Sequence, residues 1–328
     1  MYYKQSFQIL ERIKSSKNIL VNIHKNPDLD SIGCACALVQ SINRLNKNVT
    51  IIASEDVESS LLIFPETKKI KIIDYMNYDF SKYDLFIIAD SSSYDRVTGS
   101  KKILLPRIPI IIIDHHHFNS IESNTKLVDT KASATCEIIY KLLVDWKIKI
   151  DKNMATILYS GIASDTVFFK YSADITNTFL IAADLLEKRA DHQYIIDQFY
   201  DNVDFKFVKL IGLFLEQMKI KKTKLNKHFV FSAISHEQFI KYGQAKGARE
   251  AAADSFFRSI KGVDFGLAIV EAETGILNIS FRSKLGTDVS VLAKALGGGG
   301  HTNAAGATIE GEFKKTLTNI IKKIVAMS

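Results

Sequence analysis

Four short runs in the first third of the chain are apolar, rich in β-branched residues and free of polar alternation: ILVNI at 19–23, VTIIA at 49–53, LFIIA at 85–89 and IIII at 110–113. Runs this short do not make buried helices. Their lack of alternation suits strands covered on both faces, as in a parallel sheet. The segment from 30 to about 45 carries helical apolar spacing between the first two runs. Strands alternating with helices predict an α/β domain: a parallel sheet with helices on both faces.

Helical spacing continues at 133–146, 153–162, 178–186 and 194–215. The stretch KIKKTKLNK at 219–227 is basic and lacks apolar periodicity, so a hinge is expected near it. A second, smaller α/β pattern follows. FVFSA at 229–233 reads as a strand, 251–260 as helical, 265–271 and 276–281 as strands joined by a turn at Glu273-Thr274-Gly275, and 289–296 and 314–327 as helices. The expected organisation is a first domain at 1–186, a helical linker at 187–227 and a second domain at 228–328. A chain of 328 residues is long enough for two such cores.

Composition narrows the class. The net charge of +7 is compatible with an anionic partner, and equally with a Lys-rich soluble protein. Three cysteines with no framework spacing suit a reducing compartment, where Cys34 and Cys36 are read as buried small residues on different helix faces. No run approaches the ~18 apolar residues of a membrane span, and the N-terminus lacks a signal-peptide pattern. A cytoplasmic protein without a membrane partner is expected.

Three of the apolar runs end in Asp or His. His24-Lys25-Asn26-Pro27-Asp28-Leu29-Asp30-Ser31 follows the first, Asp90 the third, and Asp114-His115-His116-His117 the fourth. Ligand sites in open parallel sheets form beyond the carboxyl ends of the strands. A fourth segment, GIASDT at 161–166, brings Asp165 from a helix. Each has a plain reading by itself: an Asp or Ser helix cap, a strand-end turn, a solvated loop, a helix terminus. Together they gather four Asp and at least two His as ligand candidates. Carboxylate and imidazole without thiolate suit Mn²⁺ or Mg²⁺ better than structural Zn²⁺. Two such cations ~3.5–4 Å apart drive hydrolytic displacement at phosphorus.

These motifs, in this order, resemble those of the DHH phosphoesterases. SFRS at 280–283, GGGGH at 297–301 and AAG at 304–306 resemble the associated DHHA1 domain. The resemblance spans about 17–312 and is similar in layout to the small bacterial members that degrade very short RNAs. It implies a DHH catalytic domain followed by a DHHA1 substrate domain. His24, Asp28 and Asp90 would hold one metal ion, and Asp30, Asp90, His115 and Asp165 a second, with Asp90 bridging. Two Mn²⁺ are implied, with Mg²⁺ or Co²⁺ as substitutes. Asp114 would orient an imidazole, His116 would contact the scissile phosphate or move a proton, and Asn26 would approach a phosphate or the attacking water. His117 lies beyond the motif and receives no role. In the second domain Arg282, Ser283, Gly298, Gly299, Gly300 and His301 would hold the rest of the nucleotide.

The implied substrates are nanoRNA, linear or cyclic dinucleotides such as cyclic diadenylate, and 3′-phosphoadenosine 5′-phosphate. Long nucleic acid is not expected, and a homodimer stays open. Two other readings compete. Inorganic pyrophosphatases of the second family share the HKNPDLDS-like opening but lack the GGGGH…AAG pattern. A non-catalytic nucleotide-binding regulator would not need the full ligand set.

Overall fold

The computed structural model describes residues 2–201, 203–284 and 286–327, and among these the side chains of all but Tyr200, Asp201 and His301. Contacts divide the chain into units at 1–201 and 202–328.

The first unit runs α1 (Ser6–Ser15), β1 (Asn18–Ile23), α2 (Leu29–Arg44), β2 (Asn48–Ala53), β3 (Lys71–Ile72), β4 (Leu85–Ala89), α3 (Tyr94–Thr98), β5 (Ile110–Asp114), β6 (Thr125–Val128), α4 (Thr135–Asp145), α5 (Lys152–Asp165), α6 (Ile175–Glu187) and α7 (His192–Ile196). The six strands form one sheet in the order β3-β2-β1-β4-β5-β6, every pair parallel. The chain winds outward from β1 in one direction and from β4 in the other. Between β1 and β4 lies the switch point, where loops leave in opposite directions and open a crevice.

Alternate residues of each run feed opposite faces, as a pleated strand requires. Ile19, Val21 and Ile23 pack with α1, α2, α4 and α5 in the main core. Leu20, Ile52, Phe86, Ile88 and Ile112 pack on the other face against Ile73, Tyr75, Tyr83, Val97 and Ile121. That second face is covered by α3 and irregular chain, not by a full helical layer. All three cysteines are buried free thiols.

The second unit runs α8 (Phe205–Glu216), β7 (Lys219–Lys222), β8 (His228–Ile234), α9 (His236–Lys241), α10 (Ala248–Ala251), β9 (Phe265–Glu273), β10 (Ile276–Ser283), α11 (Ser290–Ala295), β11 (Gly299–His301), β12 (Ala304–Glu310) and α12 (Phe313–Met327). Its mixed sheet has the order β11-β12-β10-β9-β8-β7. The basic stretch read as a hinge contributes the edge strand β7, antiparallel to β8. Exposed lysines suit an edge, where they discourage pairing with another chain. The passage read as helical at 194–215 is interrupted, with α7 passing into a π-helical turn at Asp197–Asp201 before α8 begins.

Candidate metal centre

The residue following β1, His24, is 1 % exposed. Its Nδ1 lies 2.9 Å from the Lys25 carbonyl oxygen. A carbonyl only accepts, so Nδ1 carries a proton and Nε2 is the nitrogen turned toward the carboxylates. That Nε2 lies 3.2 Å from Asp90 Oδ2 and 3.9 Å from Asp28 Oδ2. Asp28 caps α2, its Oδ1 accepting from the Asp30 and Ser31 N–H groups at 3.0 Å each. One oxygen therefore caps the helix while the other faces His24.

Asp90, just past β4, is held at φ 53°. This left-handed conformation costs an L-residue roughly 1–2 kcal/mol. The Asp90 N–H donates to Ile113 O at 3.0 Å. Asn22 braces the turn: its Oδ1 accepts from Ala89 N–H at 2.9 Å, and its amide donates to Ser91 Oγ at 3.0 Å. Asp90 Oδ1 accepts from the Thr135 hydroxyl at 2.9 Å and lies 3.7 Å from His115 Nε2. The carboxylate thus turns one oxygen toward each imidazole.

His115 repeats the pattern of His24. Its Nδ1 sits 3.3 Å from Ala132 O, and its Nε2 sits 3.2 Å from Asp165 Oδ2 at the end of α5. Asp30 is fully buried; its Oδ2 accepts from Thr135 N–H at 2.6 Å and its Oδ1 from Cys136 N–H at 2.9 Å. The N-cap residue of α4, Ala134, has no capping side chain, so Asp30 from α2 supplies the cap. Ligand-capable atoms gather within 4.8 Å in overlapping groups: His24, Asp28 and Asp90; Asp30, His115 and Asp165; Asp90, His115 and His116; and, deeper, Asp30 with Cys34 and Cys136.

His116 donates from Nδ1 to Asp114 Oδ1 at 2.7 Å, and Asp114 Oδ2 accepts from Asn119 Nδ2 at 2.7 Å. Asn119 also bonds Ser91 O, tying this relay to the Asp90 turn. The ring is fixed so that Nε2 is the nitrogen left for another partner. His117 and Asn26 are exposed. Asn26 has φ 49°, and its N–H donates to Glu55 Oε1 at 2.6 Å. Among the described residues, no hydrogen bond links its side chain to the carboxylates.

Crowding perturbs protonation. Burial raises Asp165 to about 6 despite its bond to His115. Burial also pushes Asp30 well above the usual carboxylate range, helped by the charges of Asp90 and Asp165. For His115 burial opposes the charged form, but the bond to Asp165 and the nearby carboxylates win and raise it to about 10. Burial likewise opposes ionisation of Asp90, yet its bond to His24 and three imidazoles hold it below the usual range.

In the second unit the residues expected at a substrate site separate into different roles. Arg282 is partly exposed on β10; its Nε donates to Asp254 Oδ2 at 2.8 Å and its Nη1 to Phe281 O at 3.0 Å. Ser283 is 2 % exposed, and its hydroxyl donates to Thr287 O at 2.6 Å. It braces the loop before α11 and is not presented to a ligand. The glycines answer packing demands. A Cβ on Gly298 would lie 2.0 Å from Gly306 O, and one on Gly300 2.5 Å from Ala305 Cα. Both allow β11 to pair closely with β12, whereas Gly299 meets open space. The His301 side chain lies outside the described residues.

Residues 18–162 match the N-terminal domain of the DHH family, and residues 226–327 match the DHHA1 domain. The chain belongs to the DHH family of phosphoesterases. A Streptococcus mutans protein named as a probable bifunctional oligoribonuclease and PAP phosphatase NrnA is 29 % identical, over 91 % of this chain and 92 % of that one. The Bacillus subtilis bifunctional oligoribonuclease and PAP phosphatase NrnA is 25 % identical, over 92 % of each. A Bacteroides fragilis exopolyphosphatase-related protein of known structure shares the fold with a TM-score of 0.87 and 24 % identity, covering 98 % of this chain and 95 % of that one.

The donor set of this DHH domain fits divalent cations. Two imidazole Nε2 atoms each lie 3.2 Å from a carboxylate oxygen, so protons hold these groups together here and a divalent cation can take their place once the imidazoles are neutral. The Arg96 guanidinium reaches His24 Nε2 at 3.0 Å, one positive charge against several carboxylates. Loading the site must displace protons held by His115 and Asp165. Calorimetry in buffers of different ionisation heat should show roughly one proton or more released per protein. Affinity should rise with pH, steeply through 6 as Asp165 deprotonates. Binding without proton release would contradict this ligand assignment.

Sequence reasoning missed Asn22, Arg96, Asn119 and Thr135. Only Asn22 left a signal, as a polar residue inside a buried apolar run. It also missed the strained turn after Asp165, where Val167, Phe168 and Phe169 have φ of 50°, 52° and 63°. A β-branched residue is a poor fit there. Val167→Gly should stabilise the protein by about 1 kcal/mol, seen as a higher thermal midpoint. A lower midpoint would mean that the left-handed turn is not strained.

Proposed function

We propose that this phosphoesterase hydrolyses very short oligonucleotides and dinucleotides, using Mn²⁺ and releasing 5′-nucleoside monophosphates. The same site would remove the 3′-phosphate of 3′-phosphoadenosine 5′-phosphate. One observation carries the reading. Asp90 stands at the switch point with one carboxylate oxygen toward the Nε2 of each of two imidazoles, His24 and His115. The names of the Streptococcus and Bacillus relatives support the substrate class.

On this reading His24, Asp28 and Asp90 hold one cation, and Asp30, Asp90, His115 and Asp165 the other. Bound there, divalent cations supply Lewis acidity, activating water and neutralising charge on the phosphoryl oxygens. The chain's own residues do the rest. Asn22 and Thr135 keep Asp90 oriented, the N-terminus of α4 holds Asp30, and the Asn119–Asp114 relay presents His116 to the phosphate or the leaving oxygen.

The test is a matched panel with Mn²⁺ as the sole divalent metal: a diribonucleotide, linear and cyclic diadenylate, 3′-phosphoadenosine 5′-phosphate and pyrophosphate. Turnover of the nucleotides with little on pyrophosphate is expected. Turnover of pyrophosphate alone would replace this reading with a pyrophosphatase.

A further inference from the structure

Charge is unevenly shared along the chain. Residues 202–328 hold 19 Lys and Arg against 11 Asp and Glu, whereas residues 1–201 hold 24 against 25. The excess of the second unit gathers in two acid-free stretches, 217–227 with five lysines and 313–328 with four. The fold joins them. The first stretch supplies the edge strand β7 and the turn after it, the second is α12, and the Lys224 N–H donates to Val325 O at 2.9 Å. Register completes the surface. Lys219 and Lys221 pair with Phe231 and Phe229, so all four side chains share one face of the sheet. That is the face α12 covers, since Phe229 and Phe231 pack in one core with Ile320, Ile321 and Ile324.

Stability does not explain this surface. Lysines on β7 guard an edge strand, but α12 is not an edge. Lys322 and Lys323 lie toward the C-terminal end of α12, where the helix dipole favours positive charge. Lys314 and Lys315 stand in its first turn, where the dipole opposes it. Lys219, Lys221, Lys224 and Lys322 are exposed, and among the described residues their ammonium groups have no hydrogen-bond or ion-pair partner.

A field of free ammonium groups with no interleaved acid matches a polyanion. The two stretches hold one aromatic residue, Phe313, which packs against the core. Bases therefore find no stacking platform here, and contact falls to phosphates. The apolar stripe of α12 is buried in the core, which leaves none of it to enter a lipid surface. We propose that this face of the DHHA1 unit docks the phosphate backbone of double-stranded regions in RNA longer than the substrate. The choice of RNA over another polyanion rests on the nucleotide reading above, because short oligonucleotides must be supplied by the shortening of longer RNA. Docking is separate from turnover, which stays with the short substrates at the metal centre.

The test is fluorescence anisotropy of a labelled RNA duplex with the full-length, Mn²⁺-loaded protein over a range of salt, the duplex being checked for integrity on a gel. The variant K219Q/K221Q/K224Q/K322Q removes four charges of the surface. A charge-matched control, K68Q/K69Q/K101Q/K102Q, removes four exposed lysines of the first unit. The docking variant should bind the duplex roughly tenfold or more weakly, and its slope of log affinity against log salt should fall by about 3, since each lost phosphate contact removes ~0.9. The control should bind as the parent does. Equal losses in both variants would reduce the effect to net charge and overturn the surface. Failure of the parent to bind the duplex, or binding to phosphatidylglycerol vesicles with none to the duplex, would overturn it too. The docking variant should keep its thermal midpoint and its turnover of a diribonucleotide; lost turnover would move these lysines to the substrate site and end the proposal. Duplex binding does not depend on which nucleotide is cleaved, so the catalytic reading stands or falls on its own panel.

Discussion

Asp90→Asn should lower kcat by about 10³-fold or more, the scale of removing a central electrostatic element from an active site. Asn is the informative replacement. Asp90 sits at φ 53°, a conformation Asn tolerates better than most residues, so the backbone need not move. The buried amide keeps the shape but loses the charge that faces His24 on one side and His115 on the other. The empty protein should not lose its fold, since Asp90 also crowds Asp30 and Asp165. Activity at matched metal, metal stoichiometry and thermal midpoint together check this. Near-normal kcat in a protein that binds the same metal would remove Asp90 from the bridging position.

Gly161→Ala should be damaging through packing alone. At this point α2, α4 and α5 meet, and a Cβ on Gly161 would lie 2.4 Å from Cys136 Sγ and 2.8 Å from Asp30 Oδ1. Neither neighbour has a flexible end to withdraw. Cys136 is fully buried, and Asp30 is pinned by two backbone N–H groups of α4. Overpacking of this kind costs typically ~1–3 kcal/mol, and here the strain passes straight to a proposed metal ligand. Both the thermal midpoint and metal-dependent activity should fall. Adding Cys136→Ala should recover part of the midpoint by vacating the Sγ volume, while the Asp30 contact stays and activity remains low. A midpoint unchanged in Gly161→Ala would show that the helices separate more easily than their burial implies.

The strands that build the crevice were legible because each is a continuous apolar run. A residue directly after such a run must emerge at the carboxyl edge of a parallel sheet. His24, Asp90 and His115 therefore group together on sequence alone. Strands β3 and β6 were not legible, being two and four residues long, and β7 is a lysine-rich edge with no apolar pattern. The supports of the site were hidden for a different reason. Asp30 caps a helix that starts 105 residues later, and no local pattern announces a cap supplied from elsewhere in the chain. Arg96 and Thr135 likewise reach His24 and Asp90 only through the fold. In the second unit the glycine run reads from sequence as a phosphate cradle. The register of β11 against β12 explains Gly298 and Gly300 by close backbone approach. Ser283 was misjudged because alternation along a strand turns it inward, opposite to its partly exposed neighbour Arg282.

The most direct measurement of the central claim is a single-pot competition with Mn²⁺, in which a labelled diribonucleotide and a longer single-stranded RNA are offered together and products are resolved over time. The account predicts mononucleotides from the dinucleotide while the longer RNA persists, and no product from either with Asp90→Asn. Equal or faster loss of the longer RNA, or undiminished cleavage by Asp90→Asn, would contradict it.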